Sequence, residues 1–294
     1  MSARVELSSR VAAWRDRGSD EEFRDRRIHV FERGGGEPLL VLLHGFPSSS
    51  YDWRLLLEEE TDHAVLAPDF LGFGLSEKPR DHQYDLHWQA DMVEELVRRQ
   101  DERRPVFFVA HDMGTSVANE LMARDIAGDL DMDLAGGLLL NGSMIQDAAS
   151  PTIGQRILRS AVGPLFSRLS SERFFRQQFG SIFSPNHPLT REEAEDQWEL
   201  ICAGGGRTIN HKTIAYMEER FKHADRWHGA IGDWEKPLSV AWGMLDPVAT
   251  EAVLDAVIAL RPNAPVTRFD DLGHYPQIED PERVAGALQA ALDA

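Results

Sequence analysis

The chain has 294 residues, of which 42% are hydrophobic and 27% are charged, a composition typical of globular proteins. Acidic residues outnumber basic residues by 49 to 31, and the formal net charge is −18. A surface of this charge repels phosphate groups, so we expect neither a nucleic-acid partner nor binding to a membrane surface. The single cysteine, Cys202, excludes an intrachain disulfide. No signal peptide or membrane-spanning stretch is recognisable, so we expect a soluble, cytoplasmic protein.

Short apolar runs recur along the chain and predict strands. Several runs are continuous rather than alternating, as expected for strands of a parallel sheet that are buried on both faces. Helical patterns lie between them, including residues 88–100 and 280–294, the latter with Asp280 at the N-cap and Pro281 at the first helical position. The strand runs cover residues 27–34, 38–45, 63–70, 105–112, 135–142, 237–246 and 264–274. This alternation predicts an α/β fold with a mostly parallel sheet.

One interval breaks the alternation. Between Gly142 and Pro237 the sequence shows helical patterns and no good strand. Residues 190–206 begin with a predicted capping box of Thr190 and Glu193, and they end at three consecutive glycines. The pattern predicts a core of residues 1–147 and 234–294, with a helical cap or lid of residues 148–233 inserted after the sixth strand.

Residues 110–114, Ala-His-Asp-Met-Gly, connect a predicted strand to a predicted helix. Small residues two positions before and after Asp112 give the pattern of a nucleophile elbow. From this stretch alone, an ordinary N-cap role for Asp112 remains equally open. Asp246 and His274 follow at the ends of later predicted strands, in the chain order nucleophile, acid, histidine. Because open α/β sheets bind ligands at the carboxyl ends of their strands, we predict that the three residues meet.

Four motifs resemble those of the α/β-hydrolase superfamily, and of its branch that uses an aspartate nucleophile. These are HGFPSSSYDW (44–53), APDFLGFGLSEKP (67–79), HDMG (111–114) and GHYPQIEDP (273–281). The branch contains epoxide hydrolases and haloalkane dehalogenases. Through DWRLL (52–56), RWHGAI (226–231) and LDPV (245–248), the chain is also similar to the mesoderm-specific-transcript group.

The resemblance implies a reaction through an ester of Asp112, in which the carboxylate attacks an sp³ carbon of a small apolar epoxide or halide. His274, oriented by Asp246, would activate the water that hydrolyses this ester. The backbone N–H groups of Phe46 and Met113 would form the oxyanion hole. Near the substrate or its leaving group we expect Tyr216, His44 and Asn141. We expect no metal, no organic cofactor and no obligate protein partner.

Epoxide hydrolysis to a diol is the preferred interpretation. Dehalogenases of this branch hold the halide with side-chain N–H donors, and Phe46 and Met113 have none at the matching positions. Haloalkane dehalogenation remains the first alternative, and a non-catalytic ligand-binding or scaffold protein is a second one. The resemblance calls for a second ring-opening donor besides Tyr216, for which His187 and His211 are candidates. An apolar pocket is expected around Phe174, Phe175 and Trp198.

Overall fold

The computed structural model describes residues 7–100 and 103–294, which contain an eight-stranded sheet. The strands are β1 (Gly18–Phe23), β2 (Arg26–Arg33), β3 (Gly36–Leu43), β4 (His63–Pro68), β5 (Val106–His111), β6 (Leu134–Leu140), β7 (Leu238–Gly243) and β8 (Val266–Phe269). Their order is β1-β2-β4-β3-β5-β6-β7-β8. β2 is antiparallel to both of its neighbours, and all other neighbouring pairs are parallel. The carboxyl ends of β5, β6 and β7 therefore lie at one edge.

Helices surround this sheet and also fill the interval between β6 and β7. They are α1 (Ser9–Arg15), α2 (Leu56–Glu59), α3 (Leu86–Arg98), α4 (Met113–Ala127), α5 (Ile153–Leu158), α6 (Gly163–Leu169), α7 (Glu172–Gly180), α8 (Arg191–Cys202), α9 (Asn210–Thr213), α10 (Tyr216–Lys222), α11 (Ala224–Asp233), α12 (Glu251–Leu260), α13 (Pro276–Glu279) and α14 (Pro281–Leu292). Three 3₁₀ helices cover Ser50–Trp53, Gln146–Ala148 and Ala203–Thr208. No helix among the described residues is long and apolar enough to cross a bilayer.

Both faces of the central strands are buried. In β3, Val41 and Leu43 join the core cluster that contains residues of α3 and α4, whereas Leu40 and Leu42 join the cluster that contains residues of α1 and α14. In β5, Phe108 joins the first of these clusters and Phe107 joins the second. Since alternate residues of a strand point to opposite faces, a strand covered by helices on both sides must be apolar throughout. This burial explains the continuous apolar runs of the sequence.

The predicted fold class is confirmed, and each of the seven predicted strand runs overlaps a strand. α3 and α14 match the predicted helices, and α14 begins as expected, with the Asp280 side chain accepting from the Arg283 N–H. β1 was not predicted, because its sequence Gly-Ser-Asp-Glu-Glu-Phe buries only Phe23 and has no apolar run. It is an edge strand, where charged residues are tolerated and protect against pairing with other chains.

The interval between β6 and β7 is helical, from the 3₁₀ helix at Gln146–Ala148 to the end of α11. Only half of the predicted capping box forms in α8, since Thr190 Oγ1 accepts from the Glu193 N–H while the Glu193 carboxylate pairs with Arg54. The helical path stops after α8 as predicted, at Gly204 and Gly205, whose φ angles are 59° and 83°. α11 packs along α4 and contributes Trp227 to the larger core cluster. The division of the chain into a core and a lid stays a prediction.

Candidate active site

Asp112 occupies a strained turn between β5 and α4. Its φ and ψ angles are 44° and −109°, a conformation that is costly for a residue with a Cβ atom and is typical of functional sites. The turn is tightly packed, because a Cβ on Gly114 would lie 2.2 Å from the Leu43 carbonyl oxygen. The Asp112 side chain makes no capping hydrogen bond to α4. The N-cap alternative therefore does not explain this aspartate, whose carboxylate is directed elsewhere.

The Asp112 carboxylate is buried, and neighbouring groups stabilise its negative charge. Its Oδ2 accepts a hydrogen bond of 2.9 Å from the Phe46 N–H, and its Oδ1 lies 3.5 Å from Nη2 of Arg220. Burial would raise the pKa of this carboxyl group, but the Arg220 guanidinium, with smaller contributions from His274, His111 and the Phe46 N–H, lowers it overall. Asp112 is therefore ionised at neutral pH, as a carboxylate nucleophile must be.

Asp246 and His274 form the expected pair at the ends of β7 and β8. His274 Nδ1 lies 2.6 Å from Asp246 Oδ2. The other Asp246 oxygen accepts from the backbone N–H groups of Val248 (2.7 Å) and Ala249 (3.0 Å), which fixes the carboxylate. Burial would lower the pKa of His274, but the Asp246 carboxylate raises it overall. Because Nδ1 is bonded to Asp246, Nε2 is the ring atom left for acid–base chemistry.

Asn141 lies behind Asp246. Its Nδ2 donates to Asp246 Oδ2 (2.8 Å) and to the Gly243 carbonyl (3.1 Å), and its Oδ1 accepts from the Gly243 N–H (2.8 Å). Its φ of 35° places it in the left-handed region, which asparagine tolerates. The structure thus brings Asn141 to Asp246, where both ends of its amide are occupied, and not to the expected position of the leaving group.

His44 supports the loop that carries the expected oxyanion hole. Its Nε2 accepts from the Phe70 N–H (3.0 Å), so Nδ1 carries the proton and donates to the Gly45 carbonyl (2.8 Å). Burial lowers the pKa of this histidine to about 4, which keeps the ring neutral. Since both nitrogens are bonded to backbone, neither is available to a leaving group, contrary to the expected contact with substrate.

The two expected oxyanion donors flank the elbow. Phe46 already donates its N–H to Asp112 Oδ2. Met113 is the first residue of α4, and the first N–H groups of a helix have no partner inside it. Oδ2 is therefore the Asp112 oxygen at the expected oxyanion hole, and Oδ1 is the oxygen that faces Arg220.

Arg220 was missed by the sequence analysis. It is only 1% exposed, and it donates from Nη2 to the Asp112 carbonyl (2.9 Å) and from Nε to Ser116 Oγ (2.8 Å). The buried residues of α10 are Tyr216, Met217 and Arg220, whereas Phe221 is 46% exposed. Tyr216 and Arg220 are four residues apart and therefore share one face of the helix. That spacing is the signal by which the sequence could have identified Arg220.

Tyr216 lies beside Arg220, as expected for a residue near the elbow. The Arg220 guanidinium carbon is 4.7 Å from the centre of the Tyr216 ring, and the Phe46 ring is 5.7 Å from it between centroids. Burial and the Asp112 carboxylate raise the pKa of the Tyr216 hydroxyl, so the group keeps its proton at neutral pH. His187 instead faces Asp271 at 3.6 Å, and neither His187 nor His211 lines the cavity next to His274.

A cavity of about 100 Å³ adjoins Phe46 and His274. The three aromatic residues expected in a pocket, Phe174, Phe175 and Trp198, line it, and so do Phe166 and other side chains of α5 to α8. A larger groove of about 780 Å³ lies between β1 and the Gly204 turn, and it contains none of the site residues. Among the described residues, no cluster of three or more histidine, cysteine or acidic side chains is arranged to hold a metal ion.

The sequence profile of the alpha/beta hydrolase family matches residues 40–287. The chain belongs to this family. A protein of Mycobacterium tuberculosis H37Rv named as a hydrolase, LipZ, is 47% identical over 285 residues, which cover 97% of this chain and 99% of LipZ. The mesoderm-specific transcript protein of Mus musculus is 34% identical over 289 residues, covering 94% and 86% of the two chains. The resemblance to that group is thereby confirmed, and the chain is a hydrolase of this family.

Solved structures of two activities share the fold. The haloalkane dehalogenase DatA of Agrobacterium tumefaciens C58 superimposes with a TM-score of 0.78 at 22% identity, covering 94% of this chain and 96% of DatA. The epoxide hydrolase CorEH superimposes with a TM-score of 0.75 at 21% identity, covering 94% and 98%. At this identity the likeness concerns the fold alone, so the choice of reaction depends on this chain's own residues.

Proposed function

We propose that this hydrolase opens an epoxide through an ester of Asp112 and releases a diol. The observation that supports the proposal most directly is the buried, ionised Asp112 carboxylate. Oδ2 is held by the Phe46 N–H, and Oδ1 is left to react. A carboxylate suits attack on an sp³ carbon, whereas its acylation by an ester substrate would give an anhydride.

In the first step, Asp112 Oδ1 attacks a carbon of the epoxide, the carbon–oxygen bond of the ring breaks, and the ring oxygen takes up a proton. The neutral Tyr216 hydroxyl is the donor proposed for that proton. Arg220 opposes this attack, because its positive charge stabilises the carboxylate. The same charge keeps Asp112 ionised in spite of burial, which is a precondition for the attack.

In the second step, His274 Nε2 removes a proton from water. The resulting hydroxide attacks the ester carbon of the Asp112 side chain. The tetrahedral oxyanion forms on Oδ2, which already lies 2.9 Å from the Phe46 nitrogen. Met113 supplies the second N–H of the proposed oxyanion hole. Asp246 stabilises the imidazolium. Collapse of the intermediate breaks the bond between the Asp112 carboxyl carbon and Oδ1. The departing alkoxide takes the proton of the added hydroxyl group, which releases the diol and restores the Asp112 carboxylate. The His274 imidazolium then returns its proton to solvent, and the Tyr216 oxygen regains one from solvent.

Haloalkane dehalogenation is the second candidate. Phe46 and Met113 lack side-chain N–H groups, but Trp198 lines the same cavity and has an indole N–H that can donate to a halide. The epoxide is preferred because Tyr216 supplies an O–H donor next to the elbow. A halide ion needs no proton to depart.

The experiment that tests the proposal uses His274→Gln, which removes the base of the second step but leaves Asp112 able to attack. A covalent adduct should accumulate with small epoxides and be visible by intact-protein mass spectrometry. Epoxide opening is an addition, so the gain in mass should equal the whole substrate. Halide displacement loses hydrogen halide, so its adduct would be lighter by that mass.

The controls follow from the same chemistry. In the His274→Gln background, Asp112→Ala should abolish the adduct, and Tyr216→Phe should slow its formation with epoxides but not with haloalkanes. Adducts from haloalkanes only would reject the epoxide assignment. If a folded His274→Gln protein forms no adduct with a varied panel of both classes, the aspartyl-ester mechanism fails and the non-catalytic interpretation takes its place.

A further inference from the structure

Four large apolar side chains are exposed within a short segment of the lid region. Ile153, Val162, Leu165 and Leu169 are between 58% and 71% exposed. Val162, the N-cap of α6, is followed by Leu165 and Leu169 at spacings of three and four residues, so the three side chains lie on one side of this helix. Of the exposed large apolar residues among those described, more than half lie in this segment. Clusters of this kind mark interaction surfaces on globular proteins.

The same segment is basic in an otherwise acidic protein. Residues 148–180 contain five arginines and one acidic residue, Glu172, against a net charge of −18 for the whole chain. Arg159 pairs with Glu218. The other four, Arg156, Arg168, Arg173 and Arg176, are exposed and form no ion pair with any residue that the structure describes. We call the four exposed apolar residues and these four arginines the basic apolar face.

The helices that carry the basic apolar face also line the cavity next to His274. α5, α6 and α7 contribute Leu158, Phe166 and Phe174 to the cavity that adjoins His274. None of the eight residues of the face lines that cavity. One side of these helices therefore covers the catalytic pocket, while the other side is apolar and positively charged.

We propose that the basic apolar face docks on an anionic phospholipid surface and turns the pocket toward the membrane. Exposed leucine, isoleucine and valine side chains can enter the boundary between headgroups and acyl chains, while flanking arginines contact anionic headgroups. A two-fold copy of this chain would bring like-charged arginines together, so charge complementarity favours the lipid. The expectation of no membrane binding came from the net charge, which averages over this local excess of positive charge.

Vesicle co-sedimentation of the full chain tests the proposal without any substrate, so its outcome is independent of the proposed reaction. The chain should bind phosphatidylcholine vesicles that contain phosphatidylglycerol, bind pure phosphatidylcholine weakly, and be released by salt. The triple variant Arg168→Gln/Arg173→Gln/Arg176→Gln should bind the anionic vesicles roughly a hundredfold more weakly, since each basic residue contributes about 1 kcal/mol near such a surface. The double variant Leu165→Ser/Leu169→Ser should also lose binding.

Matched controls come from the opposite edge of the sheet. Ile126→Ser removes an exposed apolar residue from the last turn of α4, and Arg103→Gln removes an exposed arginine before β5. Both should bind like the parent chain, and all variants should give the circular dichroism spectrum of the folded parent chain. The proposal is overturned if the controls lose binding equally, if anionic vesicles bind no better than neutral ones, or if the face instead forms a dimer in solution that the same variants dissociate.

Discussion

At the scale of single residues, the Arg220 guanidinium decides the charge state of Asp112. Burial raises the pKa of this carboxyl group, and Arg220 is the largest influence in the opposite direction. The guanidinium also holds the Asp112 carbonyl at 2.9 Å. One arginine from α10 therefore maintains both the ionisation and the position of a residue at the end of β5.

Replacing Arg220 tests this dependence. In Arg220→Met the pKa of Asp112 should rise, because burial remains and the compensating charge is gone. We expect the rate of adduct formation, measured in the His274→Gln background, to decrease as the pH is lowered. With Arg220→Met this decrease should begin at a higher pH than with Arg220 present. Stability should drop by about 3–5 kcal/mol, the usual cost of breaking a buried pair.

Arg220→Lys serves as the conservative control for that prediction. It keeps a positive charge and should restore much of the acid-side profile of adduct formation. A folded Arg220→Met protein with the pH profile of the parent would show that Arg220 does not control the ionisation of Asp112.

Asp112 also makes stability depend on pH. Because its pKa is lower in the folded than in the unfolded protein, its contribution to stability is present above the unfolded pKa of about 3.9. This contribution is lost as the pH falls through the folded value.

The sequence predicted the residues at strand ends better than those on the lid. Asp112, Asp246 and His274 were predicted because parallel strands deliver their carboxyl ends to one edge of the sheet. Arg220 was not predicted, because periodicity shows which residues of α10 share a face but not which element that face meets. His44 and Asn141 were expected near the substrate or its leaving group, but their partners are backbone groups and Asp246, which depend on the folded loops.

At the scale of secondary-structure elements, α8, which belongs to the predicted lid, contacts the loop of Phe46. Gln197 Nε2 donates to Asp52 Oδ1 (2.7 Å), and Asp196 Oδ2 accepts from the Tyr51 hydroxyl (2.7 Å). Both partners belong to the 3₁₀ helix at Ser50–Trp53 that follows the oxyanion segment. Ser48, two residues after Phe46, donates to the other Asp52 oxygen. Two consecutive polar residues of α8, Asp196 and Gln197, therefore position the loop.

Asp52 should make stability depend on pH. Burial raises its pKa to about 8, while hydrogen bonds from Ser48 and Gln197 lower it, Glu193 raises it and Arg54 lowers it. Because the pKa of Asp52 is higher in the folded than in the unfolded protein, its contribution to stability is fully present below the unfolded pKa of about 3.9. This contribution is lost as the pH rises toward 8. Asp52→Asn mimics the protonated acid, so urea unfolding of this variant should show a smaller loss of stability between those pH values.

The Asp196 carboxylate gives a comparison for the Asp52 variant. Asp196 has a lowered pKa in spite of burial, because Arg10, Tyr51 and Ser8 bond to it. Asp196→Asn should therefore destabilise the protein at neutral pH, whereas Asp52→Asn should not. If Asp52→Asn loses stability with rising pH as steeply as the parent chain does, Asp52 is ionised in the folded state and the assignment is wrong.

At the scale of the whole molecule, the charge is distributed unevenly. The chain carries a net charge of −18, yet residues 148–180 carry five arginines and one glutamate. The local excess of arginine can be counted in the sequence, but the exposure of Arg156, Arg168, Arg173 and Arg176 is known only from the structure. Outside this segment the excess of acidic residues is correspondingly larger, and like charges on a compact molecule repel one another.

This repulsion predicts that salt stabilises the protein. Raising the ionic strength from about 0.01 to 0.15 M shortens the Debye length from about 30 to about 8 Å, which screens distant like charges more than buried ion pairs. The melting temperature measured by calorimetry should therefore rise with potassium chloride. An equal osmolality of a non-ionic solute such as glycerol controls for effects of the cosolvent.

Two substitutions test whether net charge causes the effect of salt on the melting temperature. Asp255 and Arg268 are exposed, and neither forms an ion pair with another described residue. Asp255→Asn, on α12, removes one negative charge and should raise the melting temperature at low salt, whereas Arg268→Gln, on β8, removes one positive charge and should lower it. Each difference should shrink as salt is added, because screening removes the long-range repulsion that both substitutions alter. A parent chain that melts at a lower temperature in salt would mean that specific ion pairs, such as those of Glu120 with Arg124 and Arg226, outweigh the repulsion.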